Sequence, residues 1–187
     1  APMPLASPRN ATYQPGDAIA AYERESMRML LNYGLSPIDG DQPLYTYLLQ
    51  ELEEVHFRTP EYKAILTLFQ DQLAQGNVVD ATFFTKNENE SIKKTAIDLT
   101  AQPYTISHHW EEQHQIYTTK EEDDLHRVAF KNVLRLKLRL IQQLIEENRA
   151  GLQQPLSLEE EDQLLQVHTA LKQTETTIAQ QLGIVIW

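Results

Sequence analysis

Three histidines, His108, His109 and His114, crowd around Glu111 and Glu112. Imidazole and carboxylate groups at that density could share a divalent metal ion. Their spacing matches no ligand pattern such as H-E-x-x-H, however, and the stretch is polar, so a surface turn accounts for it. No metal is assigned. Trp110 beside them reads as a packing anchor between elements, and His168, near a leucine stripe, as an interface histidine. The other chemically suggestive set is cationic. Arg127, Lys131, Arg135 and Arg139 recur every four residues, Lys137 joins them, and no acidic residue falls between Asp124 and Glu146. On a helix they form a single stripe able to dock an acidic partner or a nucleic-acid backbone. The plainer account pairs them with the acidic run Glu159–Asp162 or with an acidic neighbouring bundle, and the acidity of the chain favours it. No G-x-S-x-G elbow, phosphate-binding glycine loop or G-x-G-x-x-G turn is present. The sequence therefore offers no catalytic residue and no cofactor site, and it reads as an interaction module.

Composition narrows the field further. The chain has 187 residues, 27 acidic against 16 basic side chains, a formal charge of −11 and no cysteine. Disulfide scaffolds, thiolate metal sites and cysteine nucleophiles are excluded. Acidity argues against direct nucleic-acid binding, which needs clustered Lys and Arg. With 41% hydrophobic residues the chain can still bury a core. No run approaches the roughly 20 apolar residues of a membrane span, and no signal peptide is legible. A chain opening on Ala1-Pro2 and not on Met is expected to be processed or a fragment, and a cytoplasmic location follows as the default.

The elements that would position these groups are helical. Glycine is scarce, at six residues, and Leu, Gln and Glu abound. Residues 1–16 hold four of the nine prolines and read as a flexible linker. A helical bundle is expected over 17–117. Asp17 caps its first helix and Gly34 ends it through a left-handed residue. Pro43 opens a second helix, Thr59-Pro60 caps and starts a third that ends before Gly76, Asp80 caps a short fourth, and a fifth covers about 88–101. Over 118–187 a long helix and hairpin follow. Thr119-Lys120-Glu121-Glu122 and Ser157-Leu158-Glu159-Glu160 are capping boxes, and each opens a long uninterrupted helix, the first to Gly151 and the second to Gly183. Leu134, Leu138, Ile141 and Ile145 make a heptad seam for Leu164, Leu171 and Ile178, with Val167 and Thr174 at the intermediate positions. Leu136, Leu140 and Leu144 form a second stripe that must meet the bundle or another protein. The apolar tail Ile184-Val185-Ile186-Trp187 either folds back or binds a partner.

The run Glu23-Arg24-Glu25-Ser26-Met27-Arg28-Met29-Leu30-Leu31-Asn32-Tyr33-Gly34 resembles the opening helix of the C-terminal domain of bacterial replicative DNA primases of the Bacteroidetes type. Ala96-Ile97-Asp98-Leu99, Trp110-Glu111-Glu112 with His114 and Tyr117, Leu134-Arg135-Leu136-Lys137 and Gln181-Leu182-Gly183-Ile184-Val185-Ile186 are similar to that family in the same order. The resemblance covers about 17–187. It implies an all-α domain, a helical bundle followed by a long helix and C-terminal hairpin, that binds the N-terminal domains of the hexameric replicative helicase and recruits primase to the fork. It also implies a possible second partner, the acidic tail of single-stranded DNA-binding protein. Primer synthesis would lie in catalytic and zinc modules that this chain lacks. The residues themselves suggest where a partner would grip: Arg149, Leu152, Leu156, Leu158 and Leu165 around the hairpin turn, then Ile184, Ile186 and Trp187 of the tail. The alternative is an unrelated helical adaptor that dimerises through its leucine seams.

Overall fold

The computed structural model describes residues 15–38, 40–101 and 121–185. Among the described residues the fold is all-α, with seven α-helices and no strand. They are α1 (Pro15–Tyr33), α2 (Leu44–Leu52), α3 (Pro60–Ala74), α4 (Ala81–Thr85), α5 (Glu90–Thr100), α6 (Leu125–Leu152) and α7 (Leu158–Leu182). A 3-10 turn, Glu121–Asp124, precedes α6.

Local signals place most boundaries. Asp80 accepts from the N–H groups of Thr82 and Phe83 at 2.9 and 3.3 Å and caps α4. Asn89 does the same for α5 through Ser91 and Ile92. Pro60 stands at the first position of α3, where its missing N–H costs nothing. Gly76 and Gly183, with φ of 82° and 68°, follow α3 and α7 in the left-handed conformation that favours glycine.

Four expectations are corrected. Helix α1 starts at Pro15, so Asp17 lies within its first turn and is not its cap, and Pro15 and Gly16 belong to the helix. Gly34 is not left-handed. Its N–H still bonds the Leu30 carbonyl at 3.0 Å, and a β-carbon there would fall 2.3 Å from that oxygen. Glycine is needed for close approach, because a contact of that length is repulsive and the opposing atom is backbone. Gly34→Ala is expected to lower stability by about 1–3 kcal/mol, read as a reduced urea midpoint with an unchanged slope. Third, the Thr59 hydroxyl does not cap α3 but donates to Glu23 of α1 at 2.9 Å. Fourth, α6 begins at Leu125, after the 3-10 turn, and encloses Gly151; the expected cap Thr119 lies outside the described residues.

The core joins one face of each helix from α1 to α5 with one face of α6. Phe69 of α3 stacks on Phe84 of α4 with centroids 5.9 Å apart, and Phe83 meets Phe84 edge-on at 5.2 Å. Leu44, Leu48 and Leu52 bury one complete stripe of α2. Leu136 is wholly buried in this cluster and Leu140 packs against it, so the second stripe of α6 meets the bundle. Leu144, at its end, stays exposed. Polar groups also enter the bundle-to-α6 interface. Asn132 of α6 donates to the Ser26 hydroxyl at 2.9 Å and to the Tyr22 carbonyl at 3.2 Å. Lys137 pairs with Glu51 of α2 at 2.7 Å. Burial, then the nearby Glu51 carboxylate, push the Tyr47 phenol above its ordinary range and keep it neutral.

Candidate functional site

At 28 residues α6 is the longest described helix, about 42 Å at 1.5 Å per residue. One side of it completes the bundle core, and the other carries α7. The pairs Asn148–His168 and Gln142–Glu175 run in opposite senses along the two helices, so α6 and α7 form an antiparallel hairpin. Its apolar seam is small: Leu134, Leu138 and Ile178, with Phe130, Ile141 and Leu182 packed against them.

From these contacts toward the hairpin turn, polar groups enter the seam. Val167 and Thr174, expected as seam residues, are exposed. The inward positions belong instead to His168 and Glu175, four residues after Leu164 and Leu171. A search for apolar residues passes over them, whereas helix geometry selects a position regardless of its polarity. Asn148 donates to the Leu164 carbonyl at 3.2 Å, and its Oδ1 lies 3.2 Å from the His168 ring. Glu175, only 4% exposed, accepts from Gln142 at 3.1 Å and from Lys172 at 2.7 Å. Arg139 in turn donates to Gln142 at 3.0 Å. Each of these buried groups has a partner, as burial of polar atoms requires.

Helix α7 begins at a complete capping box. The Glu160 N–H donates to the Ser157 hydroxyl, while the Ser157 N–H donates to the Glu160 carboxylate at 2.9 Å. That backbone hydrogen bond, followed by the one from the Ser157 hydroxyl, holds the Glu160 carboxyl below its ordinary range. A folded value below the unfolded one gives stability that is present above the unfolded value and disappears as pH falls through the folded one. Lowering the pH from about 5 to 3 is therefore expected to weaken the wild-type cap. Glu160→Gln should flatten that limb of a stability-versus-pH series measured by urea denaturation.

The residues expected to grip a partner separate into two groups. Leu152, the last residue of α6, and Leu156, in the connection, are half-buried. Arg149 is exposed on the last turn of α6. Leu158 and Leu165 point outward, 87% and 49% exposed. They stand one heptad apart, about 10 Å along one face of α7. Lys172 extends the same face by another heptad. Ile184 is exposed although its N–H is held by the Ala179 carbonyl at 2.9 Å. Ile186 and Trp187 lie outside the described residues.

The cationic stripe is also resolved. Arg127 pairs with Asp124 of the preceding turn, and Lys137 is taken by the bundle. Lys131, Arg135 and Arg139 are exposed. Among the described residues neither Lys131 nor Arg135 has an ion-pair partner. The expected pairing with Glu159–Asp162 is not made. Antiparallel packing sends that run to the far end of the hairpin, at the start of α7, while the stripe occupies the opposite half of α6.

Open grooves also occur among the described residues. One lies between the α2–α3 connection and α6, lined by Glu54, His56, Arg58, Leu140, Gln143, Leu144 and Glu147. Among the described residues no three His, Asp or Glu side chains are placed to hold a metal ion. His108, His109, His114 and Trp110 lie outside them. Nor is any described helix long and apolar enough to cross a membrane.

No curated protein and no solved structure matches the chain. A family model described as a domain of unknown function (DUF8430) matches residues 9–185. That span takes in every described helix, from α1 to the hairpin, and the chain belongs to this family.

Proposed function

We propose that this chain is the non-catalytic docking domain of a cytoplasmic replicative primase, holding the polymerase on the N-terminal domains of the hexameric helicase. The observation that carries this reading is the outer face of α7. This helix rests mainly on α6 and turns Leu158 and Leu165 into solvent beside a charged rim. Exposed leucines in such a setting are where binding energy concentrates when a partner excludes water. The ordered resemblance to primase C-terminal domains supplies the identity of the partner. In this reading the bundle is the base of a projecting arm, primer synthesis belongs to other modules, and the acidic tail of single-stranded DNA-binding protein is a second partner.

Titration calorimetry of this chain against the isolated helicase N-terminal domain tests the proposal. Saturable binding is expected. A chain that is a stable dimer by light scattering and gives no heat with the helicase domain would favour the adaptor reading instead.

A further inference from the structure

One flank of the hairpin carries more than its two leucines. The hydrogen-bonded series Arg139–Gln142–Glu175–Lys172 crosses from α6 to α7 on a single side. It places Arg139 and Lys172 on the same flank. Lys172 lies seven and fourteen residues beyond Leu165 and Leu158, so at 3.6 residues per turn all three share a face of α7. Lys131 and Arg135 precede Arg139 at four-residue steps and continue its stripe toward the start of α6. The flank is therefore graded. Near the hairpin turn Leu158 and Leu165 stand exposed with Glu161 and Asp162 between them, and toward the base the flank is cationic, at Lys131, Arg135 and Arg139.

What marks this cationic end is its grouping, with Lys131, Arg135 and Arg139 at four-residue steps and no acidic residue between Asp124 and Glu146. The chain carries a formal charge of −11, so solubility does not require positive charge here. Arg24 and Lys93 of other helices have carboxylate partners at 3.0 Å, and within α6 itself Lys137 is taken by Glu51 at 2.7 Å. Lys131 and Arg135 remain without one among the described residues, and Arg139 shares only the neutral Gln142 oxygen. Exposed charges of one sign, grouped within about 12 Å of helix, produce a local field opposite to that of the rest of the molecule. Such a field orients an oppositely charged partner during encounter and suppresses wrong registers.

We infer that the docking partner lies along this flank, with apolar residues meeting Leu158 and Leu165 and an acidic stretch meeting Lys131, Arg135 and Arg139. This inference rests on the proposed docking function and adds the chemistry and polarity of the partner's contact surface. It also separates two roles. The leucines would supply most of the affinity, and the cations would supply association rate and direction.

The experiment uses the whole chain and the helicase N-terminal domain as probe, with association and dissociation rates measured by surface plasmon resonance at 50 and 300 mM salt, roughly 14 and 6 Å of screening length. Wild type is expected to associate markedly faster at low salt. Lys131→Glu with Arg135→Glu should slow association at least tenfold at 50 mM and reduce the salt dependence, with dissociation changed much less. Both sites are exposed, so circular dichroism and the melting temperature should match wild type. Wild-type rates and salt dependence in this folded double variant, with Leu158→Asp plus Leu165→Asp still abolishing binding, would overturn the acidic-partner inference and leave the docking function standing. No binding by the wild-type chain at either salt would overturn the docking function and this inference with it.

Discussion

Glu23→Ala is expected to destabilise the chain by about 3–5 kcal/mol, the largest single-residue effect outside the apolar core. Glu23 lies on α1 and has no exposed surface. Its carboxylate accepts from the Arg58 N–H at 2.6 Å, the Thr59 N–H at 3.2 Å and the Thr59 hydroxyl at 2.9 Å. These groups lie just before the first turn of α3, which begins at Pro60. A carboxylate there is favoured by the helix dipole as well as by hydrogen bonding. Glu23 thus fastens α1 to the two residues that lead into α3, 36 residues away at Thr59. Truncation leaves three donors unpaired in a buried site and opens a cavity. Hydrogen bonds to charged groups are worth about 1.5–3 kcal/mol each, and losses within one cluster do not add fully. Glu23→Gln keeps the shape and one acceptor oxygen and is expected to cost roughly half as much. Urea denaturation measures both. A Glu23→Ala chain within 1 kcal/mol of wild type would show that water or a local shift replaces the carboxylate.

Leu158→Asp combined with Leu165→Asp is expected to leave the fold intact and to weaken binding to the helicase N-terminal domain at least 100-fold. Both side chains face solvent, so neither substitution buries a charge in the free chain, and surface changes of this kind stay within about 0.5 kcal/mol each. In a complex each aspartate would be desolvated against an apolar surface. Losing two hot-spot residues at about 2 kcal/mol or more apiece exceeds the 2.7 kcal/mol that a 100-fold change requires. Calorimetry gives the affinity, and a thermal melt on the same preparation gives the stability. Binding within threefold of wild type by a folded double variant would remove the outer face of α7 as the docking surface. Ile178→Asp is a useful contrast. Ile178 is buried in the hairpin seam, so it should lose stability first and binding only as a consequence.

Much of the helical layout is legible residue by residue. Asp80, the Ser157–Glu160 box and Gly183 end or begin helices through hydrogen bonds spanning two to five residues. Such signals depend on nothing outside the segment. The apolar stripes are equally local, since a period of 3–4 residues defines a face before any neighbour is known. Both stripes of α6 were visible in this way, together with the requirement that the second be covered. Leu158 and Leu165 turn outward, whereas Leu152 and Leu156 are partly buried, and spacing alone does not separate the two pairs.

Relations between distant segments are different in kind. No local pattern ties Glu23 to Thr59, so the Thr59 hydroxyl looks like a cap until α1 arrives beside it. Gly34 sits correctly at the end of α1 for a left-handed residue, yet its role is a close approach to the Leu30 carbonyl. His168 and Glu175 occupy seam positions that their polarity conceals, and their burial is acceptable only because Asn148, Gln142 and Lys172 approach from particular turns. The spacing of Arg127, Lys131, Arg135 and Arg139 makes a stripe, but antiparallel packing of α7 carries Glu159–Asp162 away and leaves Lys131 and Arg135 facing solvent. Helix positions and faces follow from short-range geometry and are written in neighbouring residues. Partnership of charges and buried polar groups depends on which turns of two helices meet, and packing across the whole chain sets that.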